Sequence, residues 1–184
     1  PALMAITAEL DEAEGRITLR HPDRPDLRLN PDAPEDLGPF LDWVRPLCPP
    51  ERAAPSRIVR AAQAMTDTDY PSVSILSLTS NRVLGQRMGR DLSIHRWRGN
   101  LWIEGLAPWE EFDLIGREIG IGAARLRITE RITRCRATTA NPDTGRIDAD
   151  TLGALDEGWG HQDFGVYAVV TREGTIRAGD TVTL

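Results

Sequence analysis

The sequence predicts a mostly β fold of the α+β type: a curled mixed sheet or β-barrel with a few short peripheral helices. Three observations carry this expectation. Short runs rich in branched residues recur, among them Ser72 to Leu78 and Phe164 to Thr171. Glycine and proline, 16 and 13 of the 184 residues, punctuate those runs. Apolar residues at helical spacing occur only in short stretches. Short strands of this kind bury their apolar faces by curling into one packed layer system.

Taken in order, Leu3 to Leu10 and Arg16 to Arg20 read as strands around a turn at Asp11–Gly15, and Asp26 to Leu29 as a third. Leu37, Phe40, Leu41, Val44 and Leu47 or Cys48 repeat at helical spacing. Pro39 falls in that helix's first turn, where proline is tolerated, and Pro46 with Pro49-Pro50 ends it. Residues 45–56 read as a linker, Ser56 to Ala61 as a strand and Met65 to Pro71 as a loop. Ser72 to Leu78 is a strand, after which Thr79 is placed to cap a helix through Met88 that Gly89 stops. Asn100 to Glu104 alternates as a strand, and Ala107 to Phe112 makes one helical turn. Arg117 to Ile121 and Ala124 to Ile132 form a hairpin across Gly122. Asn141 to Gly145 is a turn, and Asp150 caps a helix over Leu152 and Leu155 that Gly158 ends. Phe164 to Thr171, apolar on both faces, is a central strand, and Thr175 to Leu184 closes the chain with strands. The organisation is a β segment with helix and linker over residues 1–64 and a main domain over 65–184.

Composition narrows the function. No run of about 18 apolar residues occurs, which excludes a membrane-spanning helix. Pro1 to Met4 lacks the regions of a signal peptide and does not start with Met, so upstream sequence is expected. Cys48 and Cys135 are too few for a disulfide scaffold or a four-thiolate zinc site, and a reducing, cytoplasmic setting is expected. All 22 basic residues are arginine. A phosphate-loop lysine, a Schiff-base lysine and a lysine general base are therefore excluded. The net charge is −6, yet Arg82 to Arg98 and Ala123 to Pro142 each hold five Arg against one acid, net +4 apiece. Two basic islands in an acidic chain suggest a local anion site and no nucleic-acid surface.

Cys135 is the leading chemical candidate. Along Ala124 to Cys135 the even positions are mainly apolar, and the odd ones carry Arg125, Arg127, Arg131 and then Cys135. If the alternation continues, Cys135 lies on the arginine face, where positive charge favours the thiolate. A bulge near Thr133 reverses that inference, and a small buried hydrophobe is the competing reading. His161, His21 and His95 show no metal-ligand spacing, and the aspartates before the main domain, Asp67 and Asp69, read either as turn residues or as acids near a reacting centre.

The stretch Arg134-Cys135-Arg136-Ala137-Thr138-Thr139-Ala140-Asn141-Pro142-Asp143-Thr144-Gly145 resembles the signature of the MOSC family, in particular its amidoxime-reducing branch. Pro71 to Ser80, Arg96 to Ile103, and Phe164 to Tyr167 with Gly174 to Asp180 resemble further family segments in the same order. The resemblance covers about residues 65–184. It implies a molybdenum-pyranopterin cofactor whose metal is held by Cys135. It also implies pterin and phosphate contacts from Arg98, Asn100, Ser77, Ser80, Thr133 and Arg134, with Asp67 as a proton-handling acid. The implied activity is reduction of small N-hydroxylated or N-oxide compounds, with electrons from a separate donor protein and no nucleic-acid or membrane partner. The family's N-terminal β segment, with its own basic cofactor contacts, is represented only by Pro1 to about Asn30. Two other readings remain: a carrier holding a persulfide or finished cofactor on Cys135, and an anion-binding or interaction domain with a structural cysteine.

Overall fold

A computed structural model describes residues 1–62 and 65–184, and the chain divides into two compact units: residues 1–63 with 139–149, and residues 64–138 with 150–184. The first unit is an antiparallel sheet of β1 (Thr7–Asp11), β2 (Arg16–His21) and β3 (Arg24–Leu29) with α1 (Leu37–Val44). Trp43, Val44 and Leu47 form its buried centre with Leu19, Leu27 and Phe40 packed around them. The strand expected from Leu3 begins only at Thr7, because Ala2–Ala5 coil into a 3-10 turn closed by Met4 N–H on Pro1 O at 2.9 Å. Ser56 to Ala61 form no strand: the segment is irregular, and its Val59 is exposed, so it buries no face against a sheet. The turn at Asn141–Gly145 is present, with Asn141 Oδ1 accepting from Asp143 N–H at 2.8 Å.

The second unit is a mixed six-stranded sheet in the order β5-β4-β8-β7-β6-β9. Its strands are β4 (Val73–Ser77), β5 (Leu101–Ile103), β6 (Glu118–Ile121), β7 (Ala124–Thr133), β8 (Asp163–Arg172) and β9 (Val182–Thr183). The sheet curls into a nearly closed barrel around Ile75, Ile103, Ile119, Leu126, Ile128 and Val166. As expected, β8 is central, antiparallel to both β4 and β7. The apolar parity of β7 holds: Ala124, Leu126, Ile128 and Ile132 are all buried, despite irregular pairing at Ile128/Glu130 and Arg131/Thr133. On the outer face, α2 (Leu78–Arg87) and α3 (Thr151–Trp159) bury Leu84 and Leu155 against Leu76, Trp97 and Phe164. Among the described residues no helix is long and apolar enough to cross a membrane.

Several boundaries depart from expectation, among them the helical turn expected at Ala107 to Phe112, which runs over Glu110–Leu114. Ser77, not Thr79, caps α2, since its Oγ accepts from Ser80 N–H at 3.2 Å and the strand runs straight into the helix. α3 continues past Gly158 and stops at Gly160, whose φ of +72° ends the helical path. Of Thr175 to Leu184 only Val182–Thr183 pairs as a strand, while Asp180 caps a local turn by accepting Arg177 N–H at 2.8 Å.

Candidate functional site

Cys135 lies just beyond the end of β7, and its thiol side chain is exposed. A short turn, Arg136–Thr139, fixes its backbone: Thr138 donates both N–H and Oγ1–H to Cys135 O, at 3.2 and 3.1 Å. Thr138 also shares a 2.8 Å hydrogen bond with Thr151 at the start of α3, which ties the cysteine loop to the helix layer. Cys135 is exposed as expected, but it stands past the last ladder position, and the pairing is irregular at Arg131/Thr133, so its exposure is set by the turn and not by the alternation along β7.

Arg134 turns the other way, across the outer face of β8. Its Nε donates to Phe164 O at 2.8 Å and its Nη1 to Trp97 O at 3.0 Å. The guanidinium stacks on the rings of Trp97 and Phe164 at 5.6 and 5.9 Å. Its Nη2 is buried and has no hydrogen-bond partner among the described residues. Burial pulls this guanidinium down to about 10, leaving it cationic at neutral pH. Nearby, Gly165 (φ +81°) lets β8 approach β4 closely: a Cβ there would stand 2.8 Å from Leu76 Cγ and 2.9 Å from Ile75 O, and at an ordinary contact distance of 3.5 Å from Nη2.

Asp67, exposed on the loop before β4, acts electrostatically on both Arg134 and Tyr167. Tyr167 of β8 has its phenol raised by burial first and by the Asp67 carboxylate second, while Arg134 lowers it. The loop is held by its own hydroxyls: Thr66 and Thr68 each donate to Tyr70 O, at 2.9 and 2.6 Å. Tyr70 in turn reaches Thr129 Oγ1 at 3.0 Å and the Glu130 carboxylate on β7. Cys135, Arg134, Asp67 and Tyr167 therefore form one electrostatic group.

Arg98 follows Trp97, whose carbonyl holds Arg134. It is exposed and adopts φ +50°, a left-handed conformation that few non-glycine residues take. Asn100 bridges to β4: its Oδ1 accepts from Ser74 N–H and Ser74 Oγ, and its N–H donates to Ser74 Oγ, all at 2.9 Å. Only its Nδ2 is left over from this bridge to face a ligand.

Three hydroxyls have protein partners of their own. Ser77 and Ser80 are fully buried. Ser80 Oγ donates to Glu111 Oε2 and accepts from Trp109 N–H, both at 2.9 Å. Thr133 Oγ1 donates to Asp163 Oδ1 at 2.6 Å. The basic islands are likewise part-matched by acids distant in sequence: Arg82 with Glu104 at 3.4 Å, Arg87 with Glu157 at 3.9 Å, Arg131 with Asp163 at 3.7 Å. Arg96 is buried, with Nη1 on Thr138 O at 3.1 Å. Sequence reasoning missed Tyr167 and Glu111. A tyrosine inside an otherwise apolar central strand was a readable signal for the first, whereas nothing local marks Glu111 as buried.

Comparison with known proteins gives a consistent picture. The chain is 29% identical over 138 residues to the mitochondrial amidoxime-reducing component 1 of Xenopus laevis, covering 68% of this chain and 40% of that protein. It is 31% identical over 128 residues to the mitochondrial amidoxime reducing component 2 of Bos taurus, covering 62% and 37%. To the molybdenum cofactor sulfurase of Anopheles gambiae it is 27% identical over 203 aligned residues, covering 85% and 26%. The chain thus spans well under half the length of these relatives. Among solved structures, YiiM from Geobacillus stearothermophilus superposes with a TM-score of 0.45 at 17% identity, over 60% of this chain and 52% of that one, a likeness too loose to argue from. Residues 63–183 match the family described as the MOSC domain, about two thirds of the sequence, and the chain belongs to that family.

Proposed function

We propose that residues 65–184 bind a molybdenum-pyranopterin cofactor through Cys135. On this reading the protein reduces small N-hydroxylated or N-oxide compounds with electrons from a separate donor protein. The observation that carries the reading is an exposed thiol preceded in sequence by a buried guanidinium with an unpartnered N–H, and in electrostatic company with Asp67. This donor set fits the group. A thiolate is a soft ligand suited to a thiophilic metal, and a spare guanidinium N–H suits an anionic oxygen. The amidoxime-reducing names of the relatives supply the reaction class.

When bound, the cofactor supplies the two-electron removal of oxygen, and the chain supplies position and field. Cys135 would ligate the metal. Arg134, fixed by two carbonyls and two rings, would add a positive charge to the same electrostatic group. Arg98 and the Nδ2 of Asn100 would contact the pterin and its phosphate. Asp67 would hold or release a proton at its carboxylate, with Tyr167 nearby. Ser77, Ser80 and Thr133 enter as supports, since their hydroxyls are already engaged within the protein. On this reading residues 1–64 would serve as a β segment with helix and linker preceding the cofactor-binding domain.

The test is elemental analysis of the purified protein for molybdenum, with turnover of an aryl amidoxime by a chemical reductant. Cys135→Ala is expected to lose both metal and turnover while its melting curve stays in place. Undiminished turnover by that variant would sink the reading. The sulfurase relative favours one second reading, a sulfur carrier, which intact mass would reveal as a labile sulfur adduct on Cys135.

A further inference from the structure

The Cys135 sulfur makes no hydrogen bond among the described residues. It stands one rotatable bond from the backbone, so whatever fixes the Cys135 peptide plane decides where the sulfur goes. Just before it, Arg134 N–H is held on Gln162 O at 2.9 Å. Just after it, Cys135 O takes two donors from one residue, the N–H and the Oγ1–H of Thr138, at 3.2 and 3.1 Å. A carbonyl has two lone pairs, and both are engaged.

The partners of Thr138 extend this lock. Its hydroxyl has a single proton, which Cys135 O takes, so Thr151 Oγ1 donates to Thr138 Oγ1 across their 2.8 Å contact. The carbonyl of Thr138 is engaged as well, by Arg96 Nη1 at 3.1 Å, from the short turn Ile94–Trp97. Thr138, Thr151 and Arg96 are 4%, 0% and 3% exposed. At such depth water does not replace a lost partner, so each missing bond strands a buried polar group. The turn Arg136–Thr139 has little strength of its own, because one 3-10 turn makes few bonds and of poor geometry.

The course of the chain explains why a lock stands here. The chain leaves the second unit after Thr138 and returns to it at Asp150, residues 139–149 belonging to the first unit. Thr138 and Thr151 flank the exit and the return, and their hydroxyl pair closes the neck of this excursion. Without that clasp, motion of the excursion would reach Cys135 through a few residues of chain. We propose that Thr138 is a positioning residue for the Cys135 sulfur, with Thr151 and Arg96 holding Thr138 in place. The role of that sulfur as a metal ligand rests on the cofactor reading above, whereas its placement is measured without metal.

The sequence holds two cysteines, so protein isotope-labelled at cysteine Cβ gives two signals in a proton–carbon correlation spectrum. Cys135→Ala identifies one of them, and Cys48, in the first unit, is the internal control. Thr138→Val keeps the shape and removes the hydroxyl, and Thr138→Ser keeps the hydroxyl and removes the methyl. Thr138→Val is expected to broaden or split the Cys135 signal and to leave Cys48 unmoved. It should also speed amide exchange at position 138 about fivefold, the ratio that one neutral hydrogen bond is worth. Thr138→Ser is expected to keep one sharp signal and the original exchange rate. An unmoved Cys135 signal in Thr138→Val, or equal disturbance in Thr138→Ser, overturns the inference. Should Thr138→Val fail to fold, Thr151→Val is read in its place, with a disturbed Cys135 signal expected and an unmoved one overturning the inference. Molybdenum content of the unsubstituted protein separates the two readings. A disturbed signal in Thr138→Val beside a metal-free parent supports the positioning role and counts against the cofactor reading alone. An unmoved signal beside a metal-bearing parent refutes the positioning role alone.

Discussion

Gly165→Ala tests how closely the central strand β8 packs against β4. Gly165 sits in the central strand β8 at φ +81°, where an L side chain costs about 1–2 kcal/mol. The added methyl would also meet Leu76 Cγ at 2.8 Å and Ile75 O at 2.9 Å, both buried in β4. Neither neighbour is a flexible tip, so overpacking adds roughly 1–3 kcal/mol. The total is about 2–5 kcal/mol, which lowers the melting temperature by roughly 4–20 °C in a protein of this size. Gly160→Ala is the internal control. Its φ is +72° but nothing lies within 4 Å of its Cβ, so only the backbone cost applies, about 1–2 kcal/mol. Urea unfolding followed by circular dichroism measures both. If Gly165→Ala is no less stable than Gly160→Ala, the close approach of β8 to Ile75 and Leu76 is refuted.

Two further outcomes follow from the buried polar groups. Burial raises the Glu111 carboxyl above its ordinary value of 4.5, more than its bond to Ser80 lowers it. The folded state therefore binds the proton more tightly than the unfolded one, so this group's stabilisation is complete below pH 4.5 and is lost as pH rises through the raised value. Glu111→Gln should flatten that decline and be the more stable protein at alkaline pH, as urea midpoints across a pH series would show; an unchanged slope would refute burial as the cause. Asn100→Ala removes the acceptor of Ser74 N–H and Oγ and should cost about 1–3 kcal/mol by thermal melting, even without any ligand. A neutral result would make Asn100 a purely surface residue.

The sequence by itself determined the strands and the side each residue takes along them. Ala124 to Ile132 alternates in the sequence and alternates in burial, because a strand's two-residue period is a property of one backbone. The apolar run Phe164 to Thr171 marked the central strand, whereas Cys135, past the end of β7, owes its exposure to the turn that follows. Local capping chemistry identified Asp150 but misplaced the start of α2, where Ser77 and Thr79 are equally good cap residues and only the run of β4 into the helix chooses between them. Tertiary structure alone decided the polar assignments. Ser80 meets Glu111 across 31 residues, Arg134 meets Trp97 across 37 and Tyr70 meets Glu130 across 60. The arginine islands look cationic in sequence because Glu104, Glu157 and Asp163, the acids that match them, arrive from other elements. Periodicity reports the geometry of a single segment, whereas a hydrogen bond or ion pair needs two segments brought together, and no local pattern encodes which two.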